Sequence, residues 1–315
     1  MRKELIIVFA FLLVLASCTD GGPAINNQKT FLGGTTGLLI NFVAGEPPTE
    51  VTDGGATPFT VTMKLENKGE VMIPKEKVTL TLKGFDSVDF GVSNPASLTV
   101  HPLADILKND INPDTGQAIN SPPEYVTFPT LNFGGRLSGN SVFPFMVDVC
   151  YNYQTKATSQ MCIKENLLDS ADTNVCSVSG EKTVQNSGAP VQITSFQEFS
   201  AGPDKVSFTI TIKNVGNGLL SKADANCDDA PANKDVVKLT VDTHIVGLTC
   251  SGLSNTATAG TAYSGEVKLS TGERQVRCTQ EIAANQKSDK IKIVDIFVDY
   301  GYKQSVSTNV LVKHI

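Results

Sequence analysis

The chain has 315 residues, a formal net charge of −6 and no tryptophan. An acidic chain without a run of Lys and Arg cannot neutralise a phosphate backbone, which excludes nucleic acid as a partner. The length allows two domains.

Residues 1–18 have the pattern of a lipoprotein-type signal peptide. Arg2 and Lys3 precede an apolar run, Leu5–Ala16, that is too short to cross a membrane as a helix. The run ends in Leu15-Ala16-Ser17-Cys18, which resembles a lipobox. Two acyl chains on Cys18 would hold the exported protein at a membrane, since each buried methylene contributes about 0.8 kcal/mol. The alternative is an ordinary secretory signal peptide with an unmodified cysteine.

Residues 19–34 predict a flexible tether between the membrane and the folded body. They contain the turn-forming stretches Gly21-Gly22-Pro23 and Gly33-Gly34. Such a polar segment has too little apolar surface to order itself.

Residues 35–164 predict a first module of β-strands. From Phe59 to Leu65 every second residue is apolar, so one face packs on a core and the other meets water. One short helix is expected at Leu103–Leu107, and the loop 101–124 is the favoured interaction surface. Further strands are predicted at Leu38–Val43, Val78–Lys83, Tyr125–Phe133, Val142–Cys150 and Thr158–Ile163.

Two sequence markers recur at one spacing and predict an internal duplication. Phe59–Lys64 (FTVTMK) is matched by Phe208–Lys213 (FTITIK), and Tyr151-Asn-Tyr by Tyr300-Gly-Tyr. Both recur after 149 residues (208 − 59 and 300 − 151). The chain is therefore interpreted as two copies of one module. Each copy also has an Asn-x-Gly turn, at Asn67-Lys68-Gly69 and Asn214-Val215-Gly216.

The second module, 190–315, follows a polar connector, 165–189. Roughly seven short strands per module, with turns between them, are typical of an immunoglobulin-like sandwich. The predicted fold is all-β, with two tandem immunoglobulin-like β-sandwich domains after the signal peptide and tether. The strands of the second module are predicted at Val191–Phe196, Val206–Ile212, Val236–His244, Gly265–Leu269, Gln275–Gln280, Lys290–Val298 and Val306–Lys313.

Six cysteines remain after Cys18, and an even number in an exported chain predicts disulfide bonds. The sequence alone does not fix their pairing. A zinc site is disfavoured, because no CxxC pair occurs and the histidines are remote in sequence. The pairs we expect are Cys150–Cys162 across a hairpin, Cys250–Cys278 between neighbouring strands, and Cys176–Cys227 by elimination.

One acidic loop is a candidate calcium site. Asp224, Asn226, Asp228 and Asp235 place oxygen donors in the layout of a calcium loop. Asp229 stands where that loop needs a glycine, so a solvated turn is the alternative. No other cofactor is expected.

No catalytic motif is found. The chain contains no GxSxG elbow, phosphate loop or dinucleotide fingerprint, and no nucleophile neighbours its histidines in sequence. The paired tyrosines of the repeat are expected to pack at the end of the core, with an adhesive patch as the alternative. We expect no enzymatic activity.

The stretches Phe59–Gly69 and Phe208–Gly218 resemble the second-strand signature of CARDB-like, Ig-like modules. Such modules occur in archaeal and other prokaryotic cell-surface lipoproteins, which the phrases Gly188–Val191 and Tyr300–Tyr302 also resemble. The resemblance implies a fold and a cell-surface location, and it transfers no catalytic residue.

These features predict a membrane-anchored extracytoplasmic structural or adhesion protein without catalytic activity. Its Ig-like modules would serve as a spacer or an interaction surface. The expected partners are the membrane, through lipid on Cys18, and a protein or glycan at the cell surface. The alternatives are a calcium- or solute-binding surface lipoprotein and a subunit of a surface filament or layer.

Overall fold

A computed structural model describes residues 30–169, 175–228 and 230–315. The predicted signal peptide with Cys18, and residues 19–29 of the predicted tether, lie outside these ranges.

The last residues of the predicted tether belong to the folded body. The Thr30 N–H donates to Gln185 Oε1 at 3.0 Å, and Gly34 O accepts a hydrogen bond from Gln192 Nε2 at 2.6 Å. Residues 30–34 are therefore not part of a free tether, because the connector and the strand after it supply their hydrogen-bond partners.

The described residues are all-β, as predicted, and no α-helix occurs among them. Short 3-10 turns lie at Lys75–Lys77, Pro95–Leu98, Ser270–Gly272 and Ala284–Gln286. The strands of the first half are β1 Leu38–Phe42, β2 Glu50–Thr52, β3 Thr62–Asn67, β4 Val78–Lys83, β5 Thr99–Val100, β6 Asp110–Ile111, β7 Ala118–Ile119, β8 Glu124–Thr127 and β9 Ser141–Ile163. The strands of the second half are β10 Gly180–Glu181, β11 Gln185–Asn186, β12 Val191–Gly202, β13 Lys205–Asn214, β14 Leu219–Ser221, β15 Val236–Asp242, β16 Leu248–Ser251, β17 Ser254–Ala259, β18 Ala262–Lys268, β19 Glu273–Glu281 and β20 Lys290–Lys313.

The helix predicted at Leu103–Leu107 is wrong. Ile106 forms an isolated β-bridge with Ile73, in which each backbone N–H donates to the other residue's carbonyl oxygen. A helix would have used the backbone groups of Ile106 internally, whereas here a distant segment satisfies them.

The strands form two layers of sheet in each half. Strands β1-β3-β8 form one sheet, and β10-β12-β13-β19-β16 form another. A ten-stranded sheet, with the main order β17-β18-β15-β20-β9-β4-β5, extends through both halves, and β2, β11 and β14 attach to its long strands. A separate hairpin, β6-β7, lies in the loop 101–124.

The two longest strands, β9 and β20, were each predicted as two strands with a turn between them. They instead pair with each other, antiparallel, from Lys290 opposite Ile163 to Val312 opposite Ser141. Inward and outward side chains alternate through the middle of both segments. A side-chain period of two continues the strand, so no turn forms there.

An approximate two-fold axis passes through the middle of this ladder. Tyr151 lies opposite Tyr302, which is the repeat equivalent of Tyr153 (302 − 153 = 149). Asn152 lies opposite its own equivalent, Gly301. The two copies therefore meet as the subunits of a symmetric dimer do, with the same surface contributed by each.

One hydrophobic core runs through both halves. In the first half Phe90 lies in a cluster of phenylalanine rings, and it contacts Phe85 edge-to-face with the centroids 4.8 Å apart. In the second half Phe196 stacks on Phe208 at 4.7 Å. No helix among the described residues is long and apolar enough to cross a membrane.

The domain boundaries at 35–164 and 190–315 stay a prediction. The two halves share the ten-stranded sheet, and β2 of the first half pairs in parallel with the end of β20. Any boundary between them therefore divides a continuous sheet.

Candidate functional site

The tyrosine marker of the repeat contacts the Asn-x-Gly turn in both halves. The hydroxyl of Tyr153 lies 3.2 Å from Asn67 Oδ1, and that of Tyr302 lies 3.4 Å from Asn214 Oδ1. Each asparagine side chain also accepts the N–H of the glycine two residues later, which closes the Asn-x-Gly turn. The tyrosines therefore brace these turns.

The tyrosine pairs are packed in the core, as predicted, and form no exposed patch. Tyr151, Tyr153, Tyr300 and Tyr302 are all buried. Their rings meet mostly edge-to-face, for example Tyr151 on Tyr302 at 5.9 Å. Burial raises the pKa of the Tyr300 hydroxyl well above its ordinary value.

All six candidate cysteines form disulfide bonds, but two of the three expected pairs are wrong. Cys250–Cys278 joins β16 to β19 as expected. The other bonds are Cys150–Cys227 and Cys162–Cys176.

The expected bond between Cys150 and Cys162 fails because both residues lie on β9. Twelve residues of extended strand (162 − 150) separate them by about 40 Å, far beyond the reach of a disulfide. Cys150 instead bonds Cys227 in the acidic loop, and Cys162 fixes Cys176 of the connector to the end of β9.

The carboxylate of Asp224 in the acidic loop already has protein partners. Its Oδ1 accepts from Lys77 Nζ and from Asn152 Nδ2, both at 2.6 Å. The hydrogen bond from Lys77 lowers the pKa of Asp224. The loop therefore docks the second half onto the first, close to the Cys150–Cys227 disulfide.

The remaining calcium candidates serve the loop itself. Asp228 accepts from the Ala230 N–H at 3.1 Å and from Asn233 Nδ2 at 2.9 Å. Asn226 and Asp235 have positive φ angles of 47° and 60°, the left-handed turn conformation that asparagine and aspartate tolerate. No group of three or more His, Cys, Asp or Glu in the described ranges is arranged to hold a metal ion.

The three histidines lie apart from one another. His101 Nδ1 contacts the Val78 carbonyl oxygen at 2.7 Å. His244 Nε2 contacts Asp295 at 2.9 Å, and His314 Nδ1 contacts the buried carboxylate of Asp53 at 2.8 Å. In the described part of the chain, no recorded hydrogen bond joins a histidine ring to a Ser or Thr hydroxyl.

Sequence reasoning missed a buried carboxyl group, Glu198. It accepts the Cys162 N–H at 2.9 and 3.1 Å and lies 3.2 Å from Lys182 Nζ. Burial raises the pKa of Glu198 to about 7, against the lowering effects of Lys182 and of the Cys162 N–H. The sequence signal for this burial is that Glu198 lies two residues after Phe196, which places both side chains on the inward face of β12.

Sequence reasoning also missed an open cleft between β1 and β20, which we call the β1/β20 cleft. Its volume is about 440 Å³. The edge of β20 that faces away from β9 pairs with β14 up to Lys303 and with β2 from Leu311 onward. Between them, residues 304–310 have no strand partner on this outer edge among the described residues. The cleft is lined by Thr36, Leu38–Ile40, Asn217, Leu219 and Lys303–Val306.

The β1/β20 cleft has the chemistry of a strand-binding site. An unpaired strand edge presents backbone N–H and C=O groups that an added strand can satisfy, and side-chain pockets beside it can select the sequence. Leu38 and Ile40 of the cleft wall are buried, whereas Leu219 is exposed. Such an arrangement suits recognition of an extended peptide.

No protein-family model matches the chain, and no curated protein matches it. Among solved structures, the partial N-terminal region of an enterococcal surface protein is similar at 8% identity and a TM-score of 0.18, over 92% of this chain and 96% of that one. The Enterococcus faecalis MSCRAMM ACE, which binds its ligands by the collagen hug model, is similar at 8% identity and a TM-score of 0.13, over 91% and 98%. TM-scores this low carry no argument, so the site stands on its own geometry.

Proposed function

We propose that the chain is a non-catalytic structural or adhesion protein outside the cytoplasm, anchored to the membrane by lipid on Cys18. Its two Ig-like modules act as a rigid spacer that carries an interaction surface. We also propose that the two modules are CARDB-like and that their partner is a protein or glycan at the cell surface.

The observation that carries the proposal is the continuous ladder of β9 and β20. It joins the two copies along almost the whole length of both strands, from Ser141 opposite Val312 to Ile163 opposite Lys290. A hinge between modules needs a linker with few contacts across it, whereas here a shared sheet and a shared core span the junction. Such a unit holds its two ends at a fixed separation.

Three disulfide bonds support a location outside the cytoplasm. They join cysteines separated by 77, 14 and 28 residues. Disulfides form and persist in oxidising compartments, and reducing cytoplasm removes them. The lipobox-like stretch before Cys18 supports anchoring at the outer face of the membrane.

The test is the fate of the mature protein in its own cells. The wild-type chain is expected in the membrane fraction, with an intact mass that shows cleavage before Cys18, added acyl chains and an increase of about six daltons on reduction of three disulfides. Cys18→Ser is expected to abolish acylation and to remove the protein from the membrane fraction. The matched control Thr19→Ser should stay in the membrane fraction. An uncleaved, unacylated wild-type chain with free thiols would overturn the proposal.

A further inference from the structure

The outer edge of β20 carries unused backbone groups at Ser305, Ser307 and Asn309. The Leu311 N–H donates to Thr49 O, so Leu311 turns its backbone groups away from β9. In an antiparallel strand this orientation repeats at every second residue, and the β9/β20 register continues without a shift. No hydrogen bond from another strand reaches this edge between residues 304 and 310 in the described chain.

The other long strand, β9, shows what the equivalent edge binds. Ser305 and Ser307 correspond to Lys156 and Thr158 (spacing 149). There the connector strand β11 lies antiparallel to β9, with Gln185 opposite Thr158. The Ser187 N–H donates to Lys156 O at 2.8 Å.

The connector also bridges to the opposite wall of that slot. Asn186 accepts the Ile193 N–H at 2.9 Å and donates to Ile193 O at 2.9 Å. Ile193 corresponds to Ile40 of β1, since Val191 pairs with Asn214 as Leu38 pairs with Asn67. The slot between β9 and β12 is thus filled by the connector, whereas the equivalent slot between β20 and β1 is open.

The strand that fills the slot has a recognisable pattern. In Thr183-Val184-Gln185-Asn186-Ser187, Val184 packs against the core and Asn186 makes the bridge to Ile193. The same pattern of a small residue, a β-branched apolar residue, two amides and a polar residue occurs once before β1, at Ala24-Ile25-Asn26-Asn27-Gln28.

Residues 24–28 cannot reach the empty cleft of their own molecule while Thr30 is bound where it is. Thr30 lies beside Thr158 and Asp295, and Asp295 is eleven residues from Val306 on β20 (306 − 295). That separation is about 36 Å of strand, whereas Asn27 is three residues from Thr30 and can reach about 11 Å.

We infer that the β1/β20 cleft accepts residues 24–28 of a second copy of this chain. The incoming strand lies antiparallel to β20, with Asn27 opposite Val306 and Ile25 opposite Thr308, as Asn186 and Val184 lie on β9. Each molecule then gives one strand and receives one, which produces a head-to-tail assembly. This inference is separate from the proposed anchoring, since it needs no lipid.

The first experiment is disulfide trapping in the chain from Thr19 onward, which includes every described residue. Asn27→Cys with Val306→Cys is expected to give covalent dimers and larger species on a non-reducing gel. The matched control, Asn27→Cys with Ala157→Cys, places the second cysteine at the filled slot and is expected to give no such ladder beyond that of Asn27→Cys alone.

Two outcomes would overturn the inference. A cross-link found only within monomers would mean that the chain's own segment fills the cleft after residues 30–36 detach. Absence of any cross-link specific to Val306→Cys would mean that the cleft does not take this strand.

A second variant keeps the inference falsifiable if the cysteines disturb folding. Ser307→Pro removes one outward N–H of the open edge, and proline is tolerated at an edge where the N–H faces solvent. Its melting temperature should stay close to that of Ser307→Ala, while light scattering should show loss of the concentration-dependent species. Equal assembly of both variants would contradict strand addition at β20.

Discussion

At the scale of single residues, the most informative contacts join the tyrosine marker of the repeat to the Asn-x-Gly turns. The asparagine of each Asn-x-Gly turn and the tyrosine of the long strand meet in both halves. The backbone groups of a turn have no neighbouring strand to pair with, so they need other hydrogen-bond partners. The asparagine side chain does this in both halves, and the tyrosine hydroxyl contacts its Oδ1.

Glu198 is expected to make stability depend on pH. Its folded-state pKa, about 7, lies above its ordinary value of 4.5, so the folded protein binds the proton more tightly than the unfolded chain. The contribution is fully present below about pH 4.5 and is lost as the pH rises through 7. The difference corresponds to on the order of 3 kcal/mol.

The measurement is denaturant unfolding of Glu198→Gln and wild type at pH 5 and pH 8. The amide keeps an acceptor for the Cys162 N–H and cannot ionise, so the wild type should lose more stability than the variant between the two values. The exposed Glu165→Gln is the control and should follow the wild type. A parallel loss in all three proteins would show that Glu198 does not carry the pH dependence.

At the scale of elements, the sequence predicted short strands well and long strands poorly. Val78–Lys83 was predicted with its observed bounds, because alternation ends there at Gly84. Strands are usually about five or six residues long, and Asn152 and Gly301 look like turn residues. Only the partner strand shows that the ladder continues across them.

The pairing of the cysteines could not be derived from the sequence for the same reason. Cys150 and Cys162 were placed across a hairpin that does not exist. Once β9 is a single strand, the two residues are far apart, and each bonds a cysteine from a later segment. The β1/β20 cleft was equally out of reach, because an unpaired edge is a property of topology.

The Cys150–Cys227 bond is expected to contribute more stability than Cys162–Cys176. The first closes 77 residues and the second 14. The chain-entropy model gives about 4.5 and about 3 kcal/mol for these lengths. Replacing each pair by serine and measuring unfolding in guanidinium tests the order.

Loss of the first bond should also free the acidic loop at Asp224. Limited proteolysis between residues 222 and 235 should therefore speed up in the Cys150→Ser/Cys227→Ser protein and stay unchanged in the Cys162→Ser/Cys176→Ser protein. Equal cleavage in both would indicate that Lys77 and Asn152 hold the loop without the disulfide.

At the scale of the whole molecule, the shared sheet predicts cooperative unfolding. The core is continuous and the central ladder belongs to both halves, so neither half has a complete structure alone. Calorimetry is expected to show one transition, with the calorimetric and van't Hoff enthalpies in agreement. Two resolved transitions, or a folded isolated fragment 35–164, would instead show that the predicted domains are independent.

The connector gives this internally symmetric molecule a polarity. A dimer of two identical chains must present the same edge twice, so it cannot distinguish its ends. Here one polypeptide holds both copies, and residues 180–187 cover edges of β9 and β12, whereas the cleft between the equivalent strands β20 and β1 is open. In the inferred assembly the covered end donates its strand and the end with the open cleft accepts one, so each molecule has a fixed direction. A single chain with two copies can thus assemble in one direction, which a symmetric dimer of two identical chains cannot.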